Sequence, residues 1–94
     1  MHVADVEGLL GPRATGAFAV VGIPHPRFGE VVAIVLEHAD DAHALRALSR
    51  ASLAPSAQPR RWFTLDPLPR TDLGKVDRAH LVALVASGTV RALP

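Results

Sequence analysis

The stretch that decides the fold is AFAVVGIPHPRFGEVVAIVLEH, residues 17–38. Two apolar runs, Ala17–Ile23 and Glu30–His38, flank a centre rich in proline and glycine, and valine and isoleucine dominate both runs. Branched side chains of that kind lose χ1 freedom in a helix and pack well on a pleated surface, so both runs read as strands. The second run is continuous rather than alternating, the pattern of a strand covered on both faces. The linking PHPRFG is long for a tight turn and predicts a looped connection.

A covered sheet needs helices packed on it, and the flanking sequence supplies them. Upstream, HVADVEGLL places Val3, Val6, Leu9 and Leu10 at helical spacing, with Asp5 and Glu7 facing elsewhere, until Gly11-Pro12 stops the helix. No capping residue precedes it, which leads us to expect a preceding segment. Downstream, DDAHALRALSRASLAP predicts a helix capped by Asp40 or Asp41 and ended before Pro55. Leu45, Leu48 and Ala51 would face the core, and Arg46 and Arg50 the other side. Arg61–Asp66 alternates Trp62, Thr64 and Asp66 against Phe63 and Leu65, a third strand. PLPRTDLGK is a turn-rich loop. DRAHLVALVAS closes with a helix capped by Asp77, buried at Leu81, Leu84 and Val85, and ended by Gly88, with a short tail after it. The expected architecture is one α+β domain over residues 1–94, order α-β-β-α-β-α, with a small three-stranded sheet.

Composition narrows the function. Ninety-four residues suit a single domain, which buries about 60–65% of its unfolded surface. Hydrophobic residues make up 49%, ample for a packed core, but aromatics only 4%, so the core is built from Val, Leu, Ile and Ala. A net charge of +1 makes no case for nucleic acid as a partner. The chain has no cysteine, which excludes disulfides and thiolate metal sites within it. The first residues lack the basic and apolar regions of a secretory signal, and the longest apolar run falls far short of the ~20 residues that span a bilayer. The expectation is a soluble, cytoplasmic protein with no membrane partner.

Ten residues are lysine or arginine, and one of the ten, Lys75, is lysine. It follows Gly74 in LPRTDLGKVDR, residues 68–78, where a phosphate-binding or catalytic group is at home. A phosphate-binding P-loop would need glycine at Pro69 and serine or threonine at Val76, so that motif fails. The five histidines show no metal-ligand spacing, His38 and His43 lying five apart across a strand–helix junction without a partnering carboxylate pattern. No serine sits in a nucleophile elbow, and Arg60-Arg61 reads as a solvated strand edge.

Taken in order, DVEGLL, AVVGIPHPRFGEVVAIVLE and LPRTDLGKVDR resemble three segments of the C-terminal subdomain of the adenylate-forming enzymes, which include acyl-CoA synthetases, peptide-synthetase adenylation domains and luciferases. The resemblance covers nearly the whole chain. It implies that Lys75 contacts the substrate carboxylate and the α-phosphate region of the nucleotide while acyl-AMP forms, with Thr71 and Gly74 on the same loop. Gly74 would let that loop reach into a cleft without a side chain in the way. Arg50 falls where acyl-CoA synthetases carry a basic contact to the CoA nucleotide, and as plausibly is a solvated helix arginine. Gly29 and Glu30 match a Gly-Glu pair that shapes the bend into the second strand.

The resemblance further implies an ATP-dependent acid–thiol ligase, with ATP or AMP, magnesium, and CoA or a carrier-protein thiol engaged only together with an N-terminal adenylation domain. The hinge and that large domain are expected to precede these residues, so the chain is not expected to be active alone. Where the family commonly has Tyr-Lys, this chain has Ser56-Ala57, and any contact made by that lysine is lost. The alternatives are a non-catalytic docking or regulatory module, a target of lysine acetylation at Lys75, or a folded fragment without activity.

Overall fold

The computed structural model describes residues 3–94, with side chains from Val6 onward. Helix α1 (Val3–Leu10) runs into a short 3-10 turn at Gly11–Arg13 and is followed by strands β1 (Phe18–His25) and β2 (Gly29–Leu36). Helix α2 (Ala42–Ser52), strand β3 (Arg61–Thr64), helix α3 (Arg78–Ala86) and strand β4 (Arg91–Ala92) complete the chain. The sheet order is β1-β2-β3-β4. β1 and β2 form an antiparallel hairpin, and α2 carries the chain back so that β3 joins β2 in parallel, as a crossover connection requires.

The continuous apolar run of β2 is explained by a helix layer on each side. Val31, Ala33 and Val35 pack with Ala19, Val21, Phe63 and Leu81 on the α3 face. Val32, Ile34 and Leu36 pack with Val6, Leu10, Leu45 and Trp62 on the face of α1 and α2. Burying a side chain of this size stabilises the fold by about 1.5–3 kcal/mol, so β2, buried from Val31 to Leu36, is the spine of the domain.

Four expectations are corrected. The sheet has four strands, not three, because the tail returns along β3, pairing Phe63 with Ala92 and Thr64 with Arg91, and Leu93 N–H donates to the Trp62 carbonyl at 2.8 Å. The β1–β2 connection is tight: Pro24 and His25 still pair with Glu30 and Gly29. His25 Nδ1 accepts from the N–H groups of Arg27 and Phe28, which folds the proline-flanked link into three residues. On α2 the buried positions are Leu45 and Ser49, while Ala51 is exposed; Ser49 tolerates burial because its hydroxyl donates to the Leu45 carbonyl at 2.9 Å.

The fourth concerns capping. Asp41 stands at the N-cap position of α2 but makes no side-chain cap bond, because its carboxylate is engaged elsewhere. It accepts from Thr15 N–H, Thr15 Oγ1 and Gly16 N–H at 2.8–3.2 Å, tying the start of β1 to the start of α2. Asp77 does cap α3, accepting from His80 N–H at 3.1 Å. Val3 and Asp5 lie outside the residues whose side chains are described. Among the described residues no helix is long and apolar enough to cross a membrane.

Candidate functional site

Lys75 lies on a short β-hairpin. Arg70 and Val76 pair across an antiparallel bridge. Thr71 N–H donates to the Lys75 carbonyl at 2.7 Å, Gly74 N–H to the Thr71 carbonyl at 2.9 Å, and Asp77 N–H to the Pro69 carbonyl at 2.8 Å. Gly74 takes φ +83°, the left-handed region that costs other residues roughly 1–2 kcal/mol. A Cβ there would meet nothing within 4 Å. The glycine is therefore required by the backbone turn of the hairpin, not by clearance around it within this chain.

The hairpin is fastened at its root. Leu68 is buried in the α3-side core, and its N–H donates to Glu37 Oε2 at 2.9 Å. The same oxygen lies 3.7 Å from Arg70 Nη2, and Arg70 Nη1 donates to the Gly74 carbonyl at 3.3 Å. Exposed ion pairs of this kind contribute at most about 1 kcal/mol, so the buried Leu68 and the backbone bonds carry the anchoring. Thr71, Gly74 and Lys75 are all exposed.

Arg50 is not brought to Lys75. It lies in the last turn of α2, where a cation also suits the helix dipole. It lines a cleft of about 240 Å³ with Arg46, Ser49, Gln58, Arg60 and Trp62. The Arg46 guanidinium lies 5.4 Å from the centre of the Trp62 ring, a cation–π distance. An adjoining cleft of about 390 Å³ is lined by Phe28, Glu30, Ser56, Gln58 and Arg60 among others, so the Ser56-Ala57 departure falls at its wall.

Phe28 is a residue that sequence reasoning passed over. It is 55% exposed, stacks on His25 with ring centroids 4.8 Å apart, and lies 5.0 Å from the Arg60 guanidinium. The signal was available in PRFGE: a phenylalanine in a turn, in a chain with so few aromatics.

The strand register separates the two regions. Phe28 and Arg60 lie where β2 and β3 begin, Arg60 N–H donating to the Val32 carbonyl. The Lys75 hairpin is tied to Glu37, just past the end of β2. Eight residues of strand at about 3.3 Å each place the two ends of β2 roughly 23 Å apart.

Comparison with known sequences places the chain. A family model described as the AMP-binding enzyme C-terminal domain matches residues 14–75.

The chain belongs to that family. The AMP-binding C-terminal domain is 38% identical over 95 residues to the indoleacetate–CoA ligase of Aromatoleum aromaticum, covering 95% of this chain and 18% of that enzyme. It is 33% identical over 99 residues to the 4-chlorobenzoate–CoA ligase of Pseudomonas sp. (strain CBS-3), covering 99% of this chain and 19% of that enzyme. Among solved structures it superposes on the amide bond synthetase McbA of Marinactinospora thermotolerans with a TM-score of 0.74 and 34% identity, over 88% of this chain and 18% of that one. The domain thus spans less than a fifth of the length of these relatives.

Proposed function

We propose that residues 1–94 act as the lid of an ATP-dependent acid–thiol ligase, presenting its two ends in turn to an N-terminal adenylation half. The observation that carries this reading is Lys75, exposed on a fastened hairpin at one end of β2, with the cleft lined by Phe28 and Arg60 at the other. Relatives that are CoA ligases support it.

In the first step a carboxylate oxygen attacks the α-phosphorus of ATP, acyl-AMP forms and pyrophosphate leaves. Negative charge shifts between the carboxylate and the phosphoryl oxygens. The Lys75 ammonium is a compact charge on a flexible stem and follows that shift without transferring a proton. In the second step the thiol gives up its proton to solvent, its sulfur attacks the acyl carbonyl carbon, and AMP leaves. The Phe28–Arg60 end then faces the adenylation half, offering an aromatic face and guanidinium groups to the nucleotide of CoA. Arg50 and Arg46 extend the cationic rim for its phosphates.

Magnesium does not fit the hairpin, whose sole carboxylate from Pro69 to Val76 is Asp72. That is too few oxygens for a magnesium shell. The test adds this chain to the adenylation half of the A. aromaticum ligase lacking its own C-terminal part, with indoleacetate and ATP. Lys75-dependent acyl-AMP formation above the unsupplemented rate supports the lid reading. No gain, or an equal gain from the K75A chain, contradicts it.

A further inference from the structure

Two large apolar side chains are exposed among the described residues, Phe28 and Leu73. Phe28 is accompanied by His25 and Arg60. Leu73 is 86% exposed and belongs to neither core cluster. It occupies the turn between Thr71 and Gly74, a setting dominated by Gly, Pro, Asn, Asp and Ser rather than leucine. Every neighbour on the hairpin tip is polar or glycine: Arg70, Thr71, Asp72, Gly74 and Lys75, all exposed.

An isolated surface leucine needs no explanation, but this one sits two residues from Lys75 on a braced hairpin. Bonds at Thr71, Gly74 and Asp77 fix the backbone, and Leu68 and Glu37 fix its root. A preformed finger loses little conformational freedom on insertion. An apolar knob inside a polar rim follows the core-and-rim anatomy of a protein interface.

We infer that Leu73 seats the hairpin in an apolar pocket of the adenylation half and thereby positions Lys75, an inference that rests on the lid reading above. Leu73 touches no reacting atom; it is a positioning residue. Docking an apolar side chain fixes depth and register, and a misplacement of about 1 Å at the reacting centre costs on the order of a hundredfold in rate. The occupant of the tip is therefore the adenylation half, near the groups that bind acid and ATP.

The test uses a chimera in which this domain replaces the corresponding part of the A. aromaticum ligase. Adenylation is read by pyrophosphate release with indoleacetate and ATP, and thioester formation by CoA capture of supplied indoleacetyl-AMP. Leu73→Ser is expected to lower kcat for adenylation about ten- to a hundredfold, with KM for acid and ATP within about threefold. Leu73→Met should stay within about threefold of the parent. Thioester formation and the urea midpoint should be unchanged in both. Leu73→Ser within twofold of the parent while Lys75→Ala loses adenylation overturns the inference alone. So does Leu73→Met falling as far as Leu73→Ser, or an equal loss in both half-reactions. Adenylation that survives Lys75→Ala contradicts the lid reading itself.

Discussion

At Gly74 the backbone turns through φ +83° with open space around it, and the next residue is the lone lysine of the chain. The two residues divide the hairpin between geometry and charge. Gly74→Ala adds no clash but must adopt the left-handed conformation, so it should favour opening of the hairpin by about 1–2 kcal/mol. Amide exchange reads this directly: the Thr71 and Gly74 N–H groups, bonded within the hairpin, should exchange roughly tenfold faster in Gly74→Ala, and unchanged exchange would contradict a backbone role. Lys75→Arg tests the charge. A planar guanidinium is larger and more directional than an ammonium, so arginine should recover less than a tenth of the adenylation rate, and full recovery would show that any cation suffices.

Among the elements, the join between β1 and α2 rests on Asp41. Burial pushes its carboxyl pKa up, but the Thr15 hydroxyl, the Gly16 and Thr15 N–H groups and the nearby His38 charge outweigh that and hold it below the ordinary aspartate range. A depressed carboxylate contributes stability that is present above the unfolded value and lost as pH falls through the folded one. The urea midpoint should therefore drop as pH is lowered below about 4, with a shallower drop in Asp41→Asn. At neutral pH Asp41→Ala should cost about 1–3 kcal/mol, since three donors lose their acceptor; an unchanged midpoint would remove the tie from the explanation of the fold.

That carboxylate also marks where the sequence is hard to read. An aspartate ahead of an amphipathic run signals a cap, and at Asp77 the local signal suffices. At Asp41 the donors come from residues 25 and 26 positions away, beyond the reach of spacing rules. β4 was illegible for a similar reason: two residues carry no periodicity, and their pairing depends on where β3 lies. The strands β1 and β2 and the helix layers were legible because burial on both faces forces a continuous apolar run. Of the candidate site, Lys75, Thr71 and Gly74 were legible as a motif, whereas the Phe28–Arg60 contact depends on the tight turn that brings Phe28 back beside the start of β3.

On the scale of the whole molecule, one buried spine separates two chemically different ends. The lysine hairpin lies at one end of β2 and the aromatic, cationic cleft at the other, and the strand between them is roughly 23 Å long. Under the proposed lid reading, service to two half-reactions requires the domain to turn over between them. Arg60→Ala should therefore raise KM for CoA several-fold and leave acyl-AMP formation within about twofold; an equal loss in both steps would contradict the separation. The most direct measurement is the complementary one on Lys75→Ala in the chimeric ligase. Acyl-AMP formation should fall about a hundred- to a thousandfold, while CoA capture of supplied acyl-AMP stays within about twofold. Loss of both half-reactions together, or of neither, would contradict a lid that works from its two ends in turn.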